Sequence, residues 1–142
     1  AVAQEMSVGI RIGGTSMVVT LVSVAHAFSH AYGPLLPPIV PFFLTDLQLT
    51  YTQLGLIFSF SYLVWSPLQL GFGVLGRCYS CPVILGLGHV CQGLSIIGTS
   101  MVRGFGDLLA WRILGRIADA AQHPIGNAFI LQGFHADRRG LT

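Results

Sequence analysis

Three long stretches of the chain hold no Asp, Glu, Lys or Arg: Ile12 to Thr45, Leu47 to Gly76, and Cys78 to Val102. Each exceeds the roughly 20 apolar residues that cross a bilayer as a helix. Charge is scarce everywhere else too: 8% of the 142 residues are charged, and the basic ones are all arginine. An ordinary soluble domain carries about 25%. With a mean hydropathy of +0.72, too few charges remain to cover a soluble domain's surface. The expectation is an integral membrane protein in contact with the lipid bilayer. No nucleophile elbow, phosphate loop or paired carboxylates occur, so an enzyme is not expected. A net charge of +2 gives no footprint for nucleic acid. The apolar signal continues to about residue 133, which does not fit a cleaved leader.

Backbone groups in hydrocarbon are satisfied only by helices or closed barrels, and the alternation of a barrel strand is absent. The fold expected is all-α: one polytopic domain over residues 1–142 with four transmembrane helices. They are placed at about 15–41, 53–76, 82–102 and 106–134. Pro82 suits a first helical turn, and Arg103-Gly104-Phe105-Gly106-Asp107 reads as a turn. Pro34, Pro37, Pro38 and Pro41 crowd the second half of the first helix and should bend or loosen it. With the N-terminus inside, Arg11, Arg77, Arg138 and Arg139 are cytoplasmic and Arg103 is outside. That asymmetry predicts both termini on the cytoplasmic side, most simply in a plasma (inner) membrane. Small residues that let membrane helices approach recur, as in the pairs Gly9/Gly13 and Gly55/Ser59.

The fourth helix carries the sharpest chemical signal. Arg112, Arg116, Asp119 and His123 are spaced i, i+4, i+7 and i+11, an arc of about 60° on a helix. Asn127 continues the stripe. Charges at mid-bilayer are costly and face a cavity, a partner or each other; Arg116 and Asp119, at i, i+3, can pair. The stripe fits a substrate or proton pathway, a structural ion-pair network, or an interfacial position. On the first helix Ser23, His26 and His30 share a face. An i, i+4 histidine pair lacks the third ligand of a catalytic zinc site, so no metal is assigned. Axial ligation of a haem or a chlorophyll-type pigment by His26, His30 or His123 is a lesser option beside a polar crevice. Cys78-Tyr79-Ser80-Cys81 is a C-x-x-C in a short loop, outside the βαβ setting of a redox motif.

Several segments resemble the N-terminal part of a major facilitator superfamily transporter, from about His26 to Leu141. His26-Ala-Phe-Ser-His30 and Leu35-Leu-Pro-Pro-Ile-Val-Pro41 resemble its first helix and outer end. Leu49-Thr-Tyr-Thr-Gln-Leu-Gly55 resembles the entry to its second. Leu109-Ala-Trp-Arg-Ile-Leu-Gly115, Gln122-His-Pro-Ile-Gly-Asn-Ala128 and Asp137-Arg-Arg-Gly140 resemble its fourth helix and the following loop. The resemblance implies twelve helices in two halves around a central site. Two departures stand out. Gly73-Val-Leu-Gly-Arg-Cys-Tyr-Ser-Cys-Pro82 replaces a loop that in the family reads roughly G-x-L-A-D-R-x-G-R-R and gates the transport cycle through charge pairs. In the fourth-helix signature, roughly R-x-x-Q-G-x-G-A, Arg112 matches, but Gly115 replaces glutamine, Arg116 a glycine, and Asp119 a small residue.

Two functions follow as expectations. The favoured one is a non-transporting descendant of a transporter half: a structural or accessory subunit, not self-sufficient as a monomer, packed with other subunits in a membrane complex of respiratory or photosynthetic type. Four helices alone, without a second half, favour it. The alternative is the N-terminal part of a secondary transporter moving a small solute by alternating access, with Arg112 as its best substrate or coupling residue.

Overall fold

The computed structural model describes residues 15–32 and 34–133, and over them the chain is helical with no strand. Six helices follow one another: α1 (Thr15–Tyr32), α2 (Leu36–Thr45), α3 (Tyr51–Leu75), α4 (Cys81–Thr99), α5 (Phe105–Ala120) and α6 (Gln122–Gly133). The all-α expectation holds. Two helices, α3 and α4, are long and apolar enough to cross a membrane. Only 17% of the most apolar window of α3 and 33% of that of α4 is buried among the described residues.

The other two expected spans are each divided. The first, read as 15–41, is α1 and α2. Pro34 disfavours helical backbone before it, and Leu36-Pro37-Pro38 restarts a helix, where proline is tolerated in the first turn. The last, read as 106–134, breaks at Ala121 into α5 and α6. Pro124 has no N–H to bond back to Ala120, and Ile125 N–H picks up the Ala121 carbonyl at 3.0 Å. Phe134, the termini with Arg11, Arg138 and Arg139, and the pair Gly9/Gly13 lie outside the described residues.

Local chemistry moves the remaining boundaries. The second span starts at Tyr51 rather than 53 because Thr50 and Gln53 form a capping box. Gln53 N–H donates to Thr50 Oγ1 at 3.2 Å, and Thr50 N–H donates to Gln53 Oε1 at 2.8 Å. The third stops at Thr99, not 102; Met101 N–H turns back to the Gly98 carbonyl at 3.0 Å. Between α2 and α3, Gln48 takes a left-handed backbone with φ 51°, which folds Leu49 back into the core.

Helix α5 is the centre of the bundle, packed between α3 and α4, while α6 extends it against α4, α1 and α3. Two apolar clusters close the ends. One holds Leu36, Phe43, Leu49, Leu54, Ile57 and Leu108; the other holds Cys81, Ile84, Leu85, Ala121 and Ile125. Between them lies a polar layer. Close approach there depends on glycine. A Cβ on Gly115 would collide with the Tyr32 and Ser95 hydroxyls, and one on Gly88 would meet the Ala118 carbonyl at 3.0 Å. The expected Gly55/Ser59 contact is not made within the chain, since nothing lies within 4 Å of a Cβ at Gly55.

Gly115→Ala should therefore cost about 1–3 kcal/mol by overpacking, whereas Gly55→Ala should be neutral or stabilising through helix propensity. Thermal unfolding of the two purified variants checks this; equal losses would refute the assigned packing.

Candidate functional site

The charged residues of the expected stripe point inward, while His123 is half-buried and Asn127 faces outward. Arg112, Arg116 and Asp119 on α5 are all buried, Arg112 with 1% of its surface exposed. The predicted pair forms: Arg116 Nη1 lies 3.3 Å from Asp119 Oδ2. The other carboxylate oxygen, Oδ1, accepts from Gln92 Nε2 of α4 at 3.5 Å, and Gln92 Oε1 accepts from Ser29 Oγ of α1 at 3.1 Å. A single network thus ties α5, α4 and α1 together.

Both guanidiniums are covered by phenol rings. Arg112 Cζ sits 4.8 Å from the centroid of Tyr32, and Arg116 Cζ 4.6 Å from that of Tyr62. Such contacts are worth about 2 kcal/mol when desolvated. Tyr32 is itself fixed. Ser95 Oγ donates to the Trp111 carbonyl at 2.6 Å and so accepts from the Tyr32 hydroxyl at 2.8 Å. The absence of a side chain at Gly115 makes room for that pair.

The charge balance is uneven. Two buried guanidiniums face one buried carboxylate, and Asp119 is spent on Arg116. Nε, Nη1 and Nη2 of Arg112 have no hydrogen-bond partner among the described residues. A buried cation without a counter-charge is expensive, so Arg112 is the least satisfied group of the site. Tyr32 also lines a cavity of about 520 Å³ bounded by Leu36, Ile39, Phe43, Ile96 and Thr99. That volume lies in the range of small-molecule sites.

Beside this seam three imidazoles meet. His26 and His30 on α1 touch through Nε2 atoms 2.9 Å apart. His123 of α6 comes up to both, with ring centroids 5.1 and 5.6 Å away. Trp65 of α3 stands 6.2 Å from His123. Since the two Nε2 atoms on α1 engage each other, neither is open to the iron or magnesium of a macrocycle in this arrangement. Among the described residues no three His, Cys, Asp or Glu side chains are disposed to hold a metal ion.

Other predicted residues stand apart. Asn127 and Ser23 are exposed and take no part in the seam. Cys78 is exposed in the loop, and Cys81 is buried at the start of α4. Sequence reasoning missed Ser29, Tyr32, Tyr62, Gln92 and Ser95. The available signal was the spacing of Ser29 and Tyr32, three residues apart on the histidine-bearing helix, and of Gln92 and Ser95 on α4. No family model matches the sequence, and no curated protein or solved structure matches it either.

Removing one member of the buried pair strands the other charge. Asp119→Ala should cost about 3–5 kcal/mol, and Asp119→Ala with Arg116→Met should recover much of that loss. Thermal unfolding of the single and double variants checks the coupling; an additive double variant would count against the pair.

Proposed function

We propose that this chain forms the first four spans of a solute carrier resembling the major facilitator superfamily, with Arg112 as the group that recognises an anionic solute. One observation carries the reading: the Arg112 guanidinium is almost fully buried, and among the described residues only the neutral Tyr32 side chain engages it, with no carboxylate of its own. A fixed structural cation is saturated by its surroundings. A cation that must receive and release a ligand has to keep donors in reserve.

The setting supports it. Large apolar side chains face outward along both candidate spans, including Leu63, Leu70 and Val74 on α3 and Leu87, Val90 and Ile97 on α4. In a bilayer these meet lipid, and the charged seam looks inward, as intramembrane charge generally does. Helices α1 with α2, and α5 with α6, then make the first and fourth spans as broken helices. Such interruptions are tolerated where neighbouring elements re-satisfy the backbone. Both termini lie on the cytoplasmic side of the plasma (inner) membrane by the arginine bias. The cavity shares with Arg112 only the Tyr32 ring that covers it, and its largely apolar lining, which also includes Asp46, would take an apolar body of the solute.

A second reading rests on the other half of the same network. Asp119 is satisfied by Arg116 and Gln92, and Gln92 by Ser29, which is what a static pin between helices looks like. On that reading the chain is an accessory subunit of a larger membrane complex, and Arg112 meets a carboxylate of a partner.

The two readings separate in one preparation. The chain, extracted in mild detergent and placed in lipid nanodiscs, is melted in the presence of small carboxylates, phosphate and sulfate. The carrier reading expects at least one anion class to raise the midpoint by several degrees, an effect lost in Arg112→Gln. No response to any anion, with stoichiometric partners retained on a native gel, replaces it with the subunit reading.

A further inference from the structure

The arginine seam leaves His26, His30 and His123 unused, and their geometry is specific. Two are on α1 and one on α6, with ring centroids 4.4, 5.1 and 5.6 Å apart. His30 is exposed, while His26 and His123 are half-buried. The charged and titratable groups on the elements packed against α1 and α6 are Asp107, Arg112, Arg116 and Asp119 on α5, Tyr51 and Tyr62 on α3, and Cys81, His89 and Cys91 on α4. Tyr32 joins them from α1.

We propose that His26, His30 and His123 form one proton-binding site that holds a single shared proton. The 2.9 Å contact between the Nε2 atoms of His26 and His30 dictates the stoichiometry. In a neutral pair one ring carries its proton on Nε2 and the other presents a lone pair there. An incoming proton binds the remaining Nδ1 of the donor ring, and the imidazolium then donates through Nε2 to its neutral neighbour, a charge-assisted bond. A second proton on the pair would set two N–H groups against each other at that contact. The third ring adds like-charge coupling from close by. The pair therefore takes up a first proton, from the exposed His30 side, and a second only at markedly lower pH.

The test is ¹⁵N NMR of the histidine rings of the full chain in lipid nanodiscs, followed between about pH 5 and 8, where histidine charge changes. No solute is added, so the result stands apart from the anion melts. His26 and His30 are expected to titrate in two macroscopic steps separated by more than one pH unit, as coupled groups do. In His30→Gln, an exposed position, His26 should revert to one simple step. His123→Gln, read on the same pair, should narrow the separation. Parallel single-step curves for His26 and His30, unchanged in His30→Gln, would overturn the shared site. So would 1:1 binding of added Zn²⁺ at micromolar concentration that shifts all three rings, since it would make the cluster a metal site. Sound proton coupling without any anion response would leave the site standing and remove the carrier reading alone.

Discussion

Two guanidiniums buried against one carboxylate are the constraint on which the rest of this bundle depends. The apolar clusters at the two ends of the bundle take these charges out of water, and the lost hydration is offset only where counter-charges and hydrogen bonds replace it. Arg116, Asp119, Gln92 and Ser29 supply these in part, and they draw α5, α4 and α1 onto one line of hydrogen bonds. Phenol faces replace water over both cations. These devices leave Arg116 Nε without a hydrogen-bond partner among the described residues and leave Arg112 without a counter-charge of its own.

The helical stripe was legible because it is local: the period of an α-helix puts residues 112, 116, 119 and 123 on one arc, and an i, i+3 pair can be read without any fold. The cover of the stripe was not legible. Ser29 meets Gln92 and Tyr32 meets Ser95, each across 63 residues of sequence, and nothing local selects those partners from the other hydroxyls. The same limit applies to His123, whose closeness to His26 and His30 depends on how α6 lies against α1. By contrast, the Thr50/Gln53 capping box and the helix-breaking Pro124 were written in the sequence. They shift a helix start and divide a span through ordinary local chemistry. The Gly55/Ser59 pair shows the converse: small residues permit close approach, but only a neighbour makes it, and here the neighbours came to Gly88, Gly98 and Gly115.

The departures from the transporter pattern look different once their surroundings are known. Taken singly, Gly115, Arg116 and Asp119 read as erosion of a helix signature. Within the bundle they compensate one another. Arg116 brings a charge that a packing glycine would not, and Asp119, three residues on, supplies its counter-charge at 3.3 Å. Gly115 removes the bulk that a glutamine would bring, and the Tyr32 and Ser95 hydroxyls fill that space. Tyr32, so placed, covers the face of Arg112. Gly115, Arg116 and Asp119 thus support one another in the helix that carries Arg112. The proposed carrier function needs a cation so placed, because an anion site requires one that its own protein does not neutralise.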